Sequence, residues 1–246
     1  MTPSLWAPYC GAAPQPLELI TRWNLDPVLL IMIVMAVAAG VRTLRNDGVA
    51  LRRFVIAMLI LATLFVSPLC ALTSALFAAR TVHHVLLVAA AAPLLAWALL
   101  PHRGRLLAQP AAWTVLHAVV FWAWHSPSLY AAALSRDLVY WTMQASLLGS
   151  AVGFWGAIHN SAVTTSIACL LGTMVQMGLL GAILTFAPTP LYAPHLLTTA
   201  AWGFSPLEDQ QLAGLIMWAP AAALYLFAAL AIAGRWLQLE SRPAAR

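Results

Sequence analysis

The residues best equipped for chemistry are a small set of histidines, methionines and acids scattered through an otherwise apolar chain. His83 and His84 are adjacent, His125 lies in the run WAWHSPSLY, His195 interrupts a late apolar stretch, and Asp209 sits in SPLEDQQLAGLIMW with Met217 further along it. Imidazole accepts copper in either oxidation state and thioether sulfur favours Cu(I), so imidazole, thioether and carboxylate brought together suit a copper site. Two facing histidines are equally the axial ligand set of a b-type haem. The plain structural alternatives are that an intramembrane histidine hydrogen-bonds across helices and that methionine fills gaps in a core.

What must position these side chains is a membrane bundle. The 246-residue chain is 63% hydrophobic and 8% charged, with a mean hydropathy of +0.86, which places it outside soluble domains. Seven segments, 27–44, 53–72, 82–100, 111–126, 138–158, 164–187 and 209–236, approach the roughly 20 apolar residues a spanning helix needs. The expectation is an all-α, polytopic membrane protein with seven transmembrane helices in a single integral-membrane domain, 1–246. The fourth segment is short because Pro110 and Pro127 bracket it. Residues 1–25 lack a basic start and carry four prolines, so the first span is expected to act as its own insertion signal.

Arginine sets the orientation, since the chain has no lysine. Nine arginines, Arg42, Arg45, Arg52, Arg53, Arg103, Arg105, Arg235, Arg242 and Arg246, fall on one side of the expected spans, against Arg22, Arg80 and Arg136 on the other. By the positive-inside rule the N-terminus is outside and the C-terminus cytoplasmic. The net charge of +5 is thereby a topology signal and calls for no nucleic acid partner. Cys10, Cys70 and Cys169 show no CxxC spacing. Cys10 and Cys70 share the outer side, which allows oxidation or metal binding, while Cys70 and Cys169 also read as small buried hydrophobes.

On this topology His83 and His84 open span three and His125 closes span four, at similar depth near the outer face. Spans three and four should be antiparallel neighbours whose outer ends meet. His195 and Asp209 join them from the outer loop and span seven, with Met143 and Met217 one to two turns inward. Glu208 and Asp209 also suit a helix N-terminus as caps. Gln144, Gln210 and Gln211 are expected to orient the histidines as hydrogen-bonding supports. Met174 and Met177, with His117, lie deeper. His117 reads as interhelical glue, Pro93 as a kink whose freed carbonyl can line a cavity, and Trp122, Trp124, Trp155, Trp202 and Trp218 as interface anchors.

The ordered segments VHHVLL, AAPLLAW, FWAWHSPSLYAAAL, GFWGAI, GAILTFAPTPLY and EDQQLAGLIMW resemble the CtaG family of caa3-type cytochrome c oxidase assembly factors over residues 80–238. The resemblance implies a multi-pass protein of the bacterial inner membrane that helps make the oxidase competent, by delivery of copper, with oxidase subunits, the lipid bilayer and a copper chaperone as partners. It implies metal-site roles for His84, His125 and Asp209. Where family members carry a histidine early in span five, this chain has Gln144. His83 and His195 are candidates to compensate. The expected function is a non-enzymatic accessory role at an outward-facing copper site. The alternatives are a b-type haem cytochrome, a copper permease and a metal-free docking scaffold.

Overall fold

The computed structural model describes residues 8–100 and 109–240, and among them every regular element is helical. Nine α-helices follow in order among the described residues: α1 Pro27–Leu44, α2 Gly48–Val66, α3 Pro68–Ala75, α4 Phe77–Leu99, α5 Pro110–Trp124, α6 Pro127–Ala133, α7 Asp137–His159, α8 Val163–Thr185 and α9 Pro206–Glu240. Arg103, Arg105, Arg242, Arg246, His102 and the segment expected to join spans three and four lie outside the described residues.

Five helices, α1, α2, α4, α8 and α9, are long and apolar enough to cross a membrane. Two expected spans do not reach that standard. At 15 residues, α5 extends only about 22 Å because Pro110 starts it and Pro127 starts the next helix. The 23-residue α7 is long enough, but Asp137, Gln144, Ser146 and Ser150 dilute its apolar surface.

Local chemistry sets the helix ends. Asp26, Asp47 and Ser67 accept backbone N–H bonds at the starts of α1, α2 and α3, and Ser205 with Glu208 forms a reciprocal capping box at α9. Both α4 and α9 contain a π-helical turn, at Leu87–Ala91 and Met217–Ala221, next to Pro93 and at Pro220 respectively. Proline lacks an N–H to continue the ladder, and such turns absorb the mismatch. The Val88 carbonyl beside the first turn accepts from Trp155 Nε1 at 2.8 Å. Trp155 is thus a buried helix-to-helix strut rather than an interface anchor.

Helix α4 lies at the centre, against α2, α7 and the first half of α9, while α5 packs on α7 and α8. The expected side-by-side pairing of spans three and four is therefore not the main arrangement. Their histidines converge across the bundle interior instead. Cys10 and Cys70 form a disulfide, with Cα atoms 5.4 Å apart, which corrects the reading of Cys70 as a plain buried hydrophobe. The bridge ties the N-terminal segment to α3 at the end of the bundle opposite Arg42, Arg45, Arg52, Arg53 and Arg235.

The tightest crossing sits between α8 and α9. A Cβ added at Gly181 would stand 2.7 Å from the Gly214 carbonyl oxygen, and one added at Gly214 would stand 2.6 Å from that of Gly181. Only glycine permits this approach, the small-residue packing expected between membrane helices. Met177 lies one turn from Gly181 and Met217 one turn from Gly214, so the crossing also sets where their sulfurs fall. Gly181→Val should force α8 and α9 apart and cost about 1–3 kcal/mol or more from overpacking. A clearly lowered midpoint of thermal unfolding in detergent is expected, and an unchanged midpoint would contradict the close crossing.

Candidate metal centre

Four potential donors face one small internal cavity. His84 from α4, His125 at the end of α5, Met177 from α8 and Met217 from α9 line a space of about 10 Å³, closed by Thr81, Val85, Val88, Phe121 and Leu147. A volume of that size holds about one water molecule. All four side chains are buried, with the two methionines 1% exposed. The rings of His84 and His125 have centroids 6.4 Å apart and lie nearly perpendicular. Two imidazoles on one ion, with bonds near 2.0 Å, place their centroids roughly 5–6 Å apart, so a small inward movement would bring both to a shared ion.

Helix geometry accounts for the common depth. His84 is seven residues into α4 and Met177 eight residues from the end of α8, each about 10–12 Å from the same end of the bundle. His125 Nδ1 stands 2.7 Å from the Phe121 carbonyl oxygen. A carbonyl can only accept, so Nδ1 carries the proton and donates, leaving the Nε2 lone pair available. The His125 carbonyl in turn accepts from Tyr192 Oη at 2.8 Å, which pins the end of α5 to the segment between α8 and α9. Gln144 Nε2 approaches His84 Nε2 at 3.4 Å, while Gln144 Oε1 is buried without a partner. Of the three glutamines, Gln144 alone stands beside a site histidine.

Other expected site residues are placed elsewhere. Asp209 is fully buried, but its two carboxylate oxygens accept from the backbone N–H groups of Phe77 at 2.7 Å and Ala78 at 3.1 Å. It caps α4 from α9, about 10 Å along α4 from His84, by the rise of a helix. His83 faces α2, edge-on to Phe65 at 5.1 Å, with both ring nitrogens buried and unpartnered. Gln210 ties Leu191 N–H to the Leu184 carbonyl, and Gln211 is half-buried without a hydrogen bond to the histidines among the described residues. Met143 is buried core. His117 bridges α5 to α7 through Ser150 Oγ at 2.9 Å, the expected interhelical role. Among the described residues no three or more His, Cys, Asp or Glu side chains form a cluster able to hold a metal, and the further donors beside the two histidines at this cavity are the thioether sulfurs of Met177 and Met217.

Two participants escaped sequence reasoning. Met177 is expected deeper in the bundle, but the observed bounds of α4 and α8 put it level with His84. Arg80 was counted only as a loop charge, yet it is 1% exposed, donates from Nε to the Thr73 carbonyl, and lies over the rings of Tyr130 and Tyr140. Its position one turn before the histidine pair, in ARTVHHV, was the available signal.

His195 packs with Tyr130 rather than lining the cavity. Its Nε2 accepts from Tyr130 Oη at 2.6 Å, and its Nδ1 lies 3.3 Å from the Ala75 carbonyl. Burial first, and then the Arg80 charge, push the His195 pKa down to about 3 despite the Ala75 carbonyl. In the unfolded chain the ring titrates near 6.5. The unfolded state thus binds more protons below that pH, so the stability contributed by neutral His195 is complete above about 6.5 and is lost as pH falls toward 3. Amide exchange in 188–205, corrected for its intrinsic rate, should accelerate between pH 7 and pH 5. Protection independent of pH would contradict a neutral, buried His195.

Five helices long and apolar enough to cross a membrane, in a bundle that encloses two imidazoles and two thioethers, define an all-helical protein of membrane type. The family model for the cytochrome c oxidase caa3 assembly factor matches residues 35–239. The chain belongs to that family. Comparison with curated proteins and with solved structures returned no match.

Proposed function

We propose that this protein assists assembly of a caa3-type cytochrome c oxidase from the bacterial inner membrane by holding a copper ion, as cargo, between His84, His125, Met177 and Met217. The observation that carries the reading is the convergence of those four side chains from four helices on one ion-sized buried space. Two neutral imidazoles and two thioethers form a soft, uncharged donor set suited to Cu(I), and a bound Cu(I) would leave the site with a single positive charge. With its amide turned so that the otherwise unpartnered Oε1 accepts from His84 Nε2–H, Gln144 would orient His84 and leave Nδ1 for the ion, and the Phe121 carbonyl fixes the His125 tautomer. Asp209 contributes by seating α4 rather than by ligation. Partners follow from the role: oxidase subunits to receive the ion and a chaperone to supply it.

In this reading the chain crosses the membrane seven times, with α5 and α7 as the shorter and the more polar of the spans. The N-terminus is outside and the site lies near the outer face. The arginine bias supports the orientation, and so does the Cys10–Cys70 bridge at the opposite end, because disulfides persist in oxidising compartments. A b-type haem between His84 and His125 fits less well, since a macrocycle needs on the order of 300 Å³ or more and the space is about 10 Å³.

The test is complementation. In cells lacking the chain, wild-type protein should restore copper-loaded, active oxidase, and a Met177→Leu, Met217→Leu double variant at equal abundance should not. Full restoration by the double variant would remove copper handling at this site and leave a docking role.

A further inference from the structure

A second cavity, far larger than the first, lies at the arginine-bearing end of the bundle among α4, α7, α8 and α9, with a volume of about 510 Å³. Its walls include Trp97, Trp155 and Ile232, and its opening carries Arg235, His159 and Ser161. Arg235 and His159 are both exposed, and no salt bridge engages Arg235 among the described residues. None of the four donors lines this space, which α4 borders from Ala89 in its π-helical turn onward, away from His84.

We infer that this cavity binds one anionic phospholipid, an acyl chain lying against the paired rings of Trp97 and Trp155 and its phosphate at Arg235. Volume and charge point to this occupant. The space falls within the roughly 300–1,000 Å³ typical of small-molecule sites. A partner's transmembrane helix, about 10 Å across, would fit for only about one turn, whereas a flexible acyl chain fills such a cavity along its length. The apolar floor with a cationic opening at the arginine-bearing end matches an amphiphile whose charge is negative, and basic pockets between spans at that membrane face recognise anionic head groups. The start of α8 at Ala162, next to the lining residue Val163, carries no side-chain cap, so its first N–H groups lie beside the same cavity without a side-chain acceptor.

The site can be tested on the full-length protein in detergent by native mass spectrometry, with phosphatidylglycerol and phosphatidylcholine as probes. One phosphatidylglycerol should be retained per chain in preference to phosphatidylcholine, and Arg235→Gln should weaken that retention about 5-fold, the worth of one basic side chain near a lipid surface. Arg45→Gln removes the same charge from the same end but outside the cavity, and should leave retention unchanged. Ala231→Phe, at an exposed lining position, should displace the lipid with Arg235 intact. Equal loss in Arg45→Gln, or unaltered retention in Ala231→Phe, would overturn the inference. Displacement by inorganic phosphate alone would assign the site to a free anion and overturn it as well.

Discussion

His125→Ala should abolish copper binding, lowering affinity by at least about 100-fold, while the protein remains in the membrane. Loss of a supporting hydrogen-bond partner alone typically costs a metal site 10–100-fold, and a lost ligand costs more. The fold should tolerate the change. His125 is the residue that ends α5, and the bond it makes to Tyr192 uses its backbone carbonyl, which alanine retains. What is lost is the Nδ1–H bond to Phe121, worth about 1 kcal/mol. His117→Ala is the matched control, because it removes another buried imidazole, one bonded to Ser150 instead of lining the cavity. It should cost about 0.6–2 kcal/mol of helix association and leave copper content unchanged. Copper content and unfolding midpoint, measured on both purified variants, separate the two roles. Equal copper in His125→Ala and wild type would remove His125 from the site.

Asp209→Ala should be the most destabilising single change, by about 3–5 kcal/mol. It deletes two charge-assisted hydrogen bonds and strands the buried N–H groups of Phe77 and Ala78 at the start of the central helix. The effect should appear as a large fall in folded yield and in the unfolding midpoint. Asp209→Asn distinguishes a cap from a ligand. Its amide oxygen can still accept one of the two bonds, so stability should fall only part-way and each folded chain should bind copper as wild type does. A folded Asp209→Asn variant that binds no copper would return Asp209 to the metal centre.

These two variants mark where the sequence was informative and where it was not. Hydropathy placed the helices, because a 3.6-residue repeat is unnecessary when a segment is apolar all round. The bracketing prolines marked α5 as short, and it has 15 residues, whereas hydropathy did not set apart α7, whose Gln144 and Ser150 are buried. His84 and His125 were legible by depth, since both sit near the same ends of antiparallel segments. Their juxtaposition was expected for the wrong reason. Helices α4 and α5 pack mainly on other partners, and the imidazoles meet because both turn inward.

Rotation about a helix axis was the missing coordinate. His83 and His84 differ by about 100° around α4, which sends one ring to Phe65 and the other to the cavity. Arg80, Thr81, His83 and His84 give the first half of α4 a polar side, but one broad enough to take in both histidines, so it does not say which ring lines the cavity. Asp209 was equally ambiguous: an acid in the first turn of α9 suits either a ligand or a cap, and it proved to cap a different helix, which no local signal encodes. Cys10 and Cys70 are separated by 60 residues, so their pairing required the tertiary fold. Met177 falls level with His84 only because α4 starts at Phe77, five residues before the start read from hydropathy, which sets His84 deeper.

X-ray absorption at the copper edge, on the purified protein loaded with Cu(I), tests the central claim most directly. One copper per chain is expected, with two imidazole nitrogens at about 2.0 Å and two sulfurs at about 2.3 Å, and the sulfur shell should vanish in the Met177→Leu, Met217→Leu variant. A chain that retains no copper, or a metal shell of nitrogen and oxygen alone that the double variant leaves unchanged, would contradict a two-histidine, two-methionine centre.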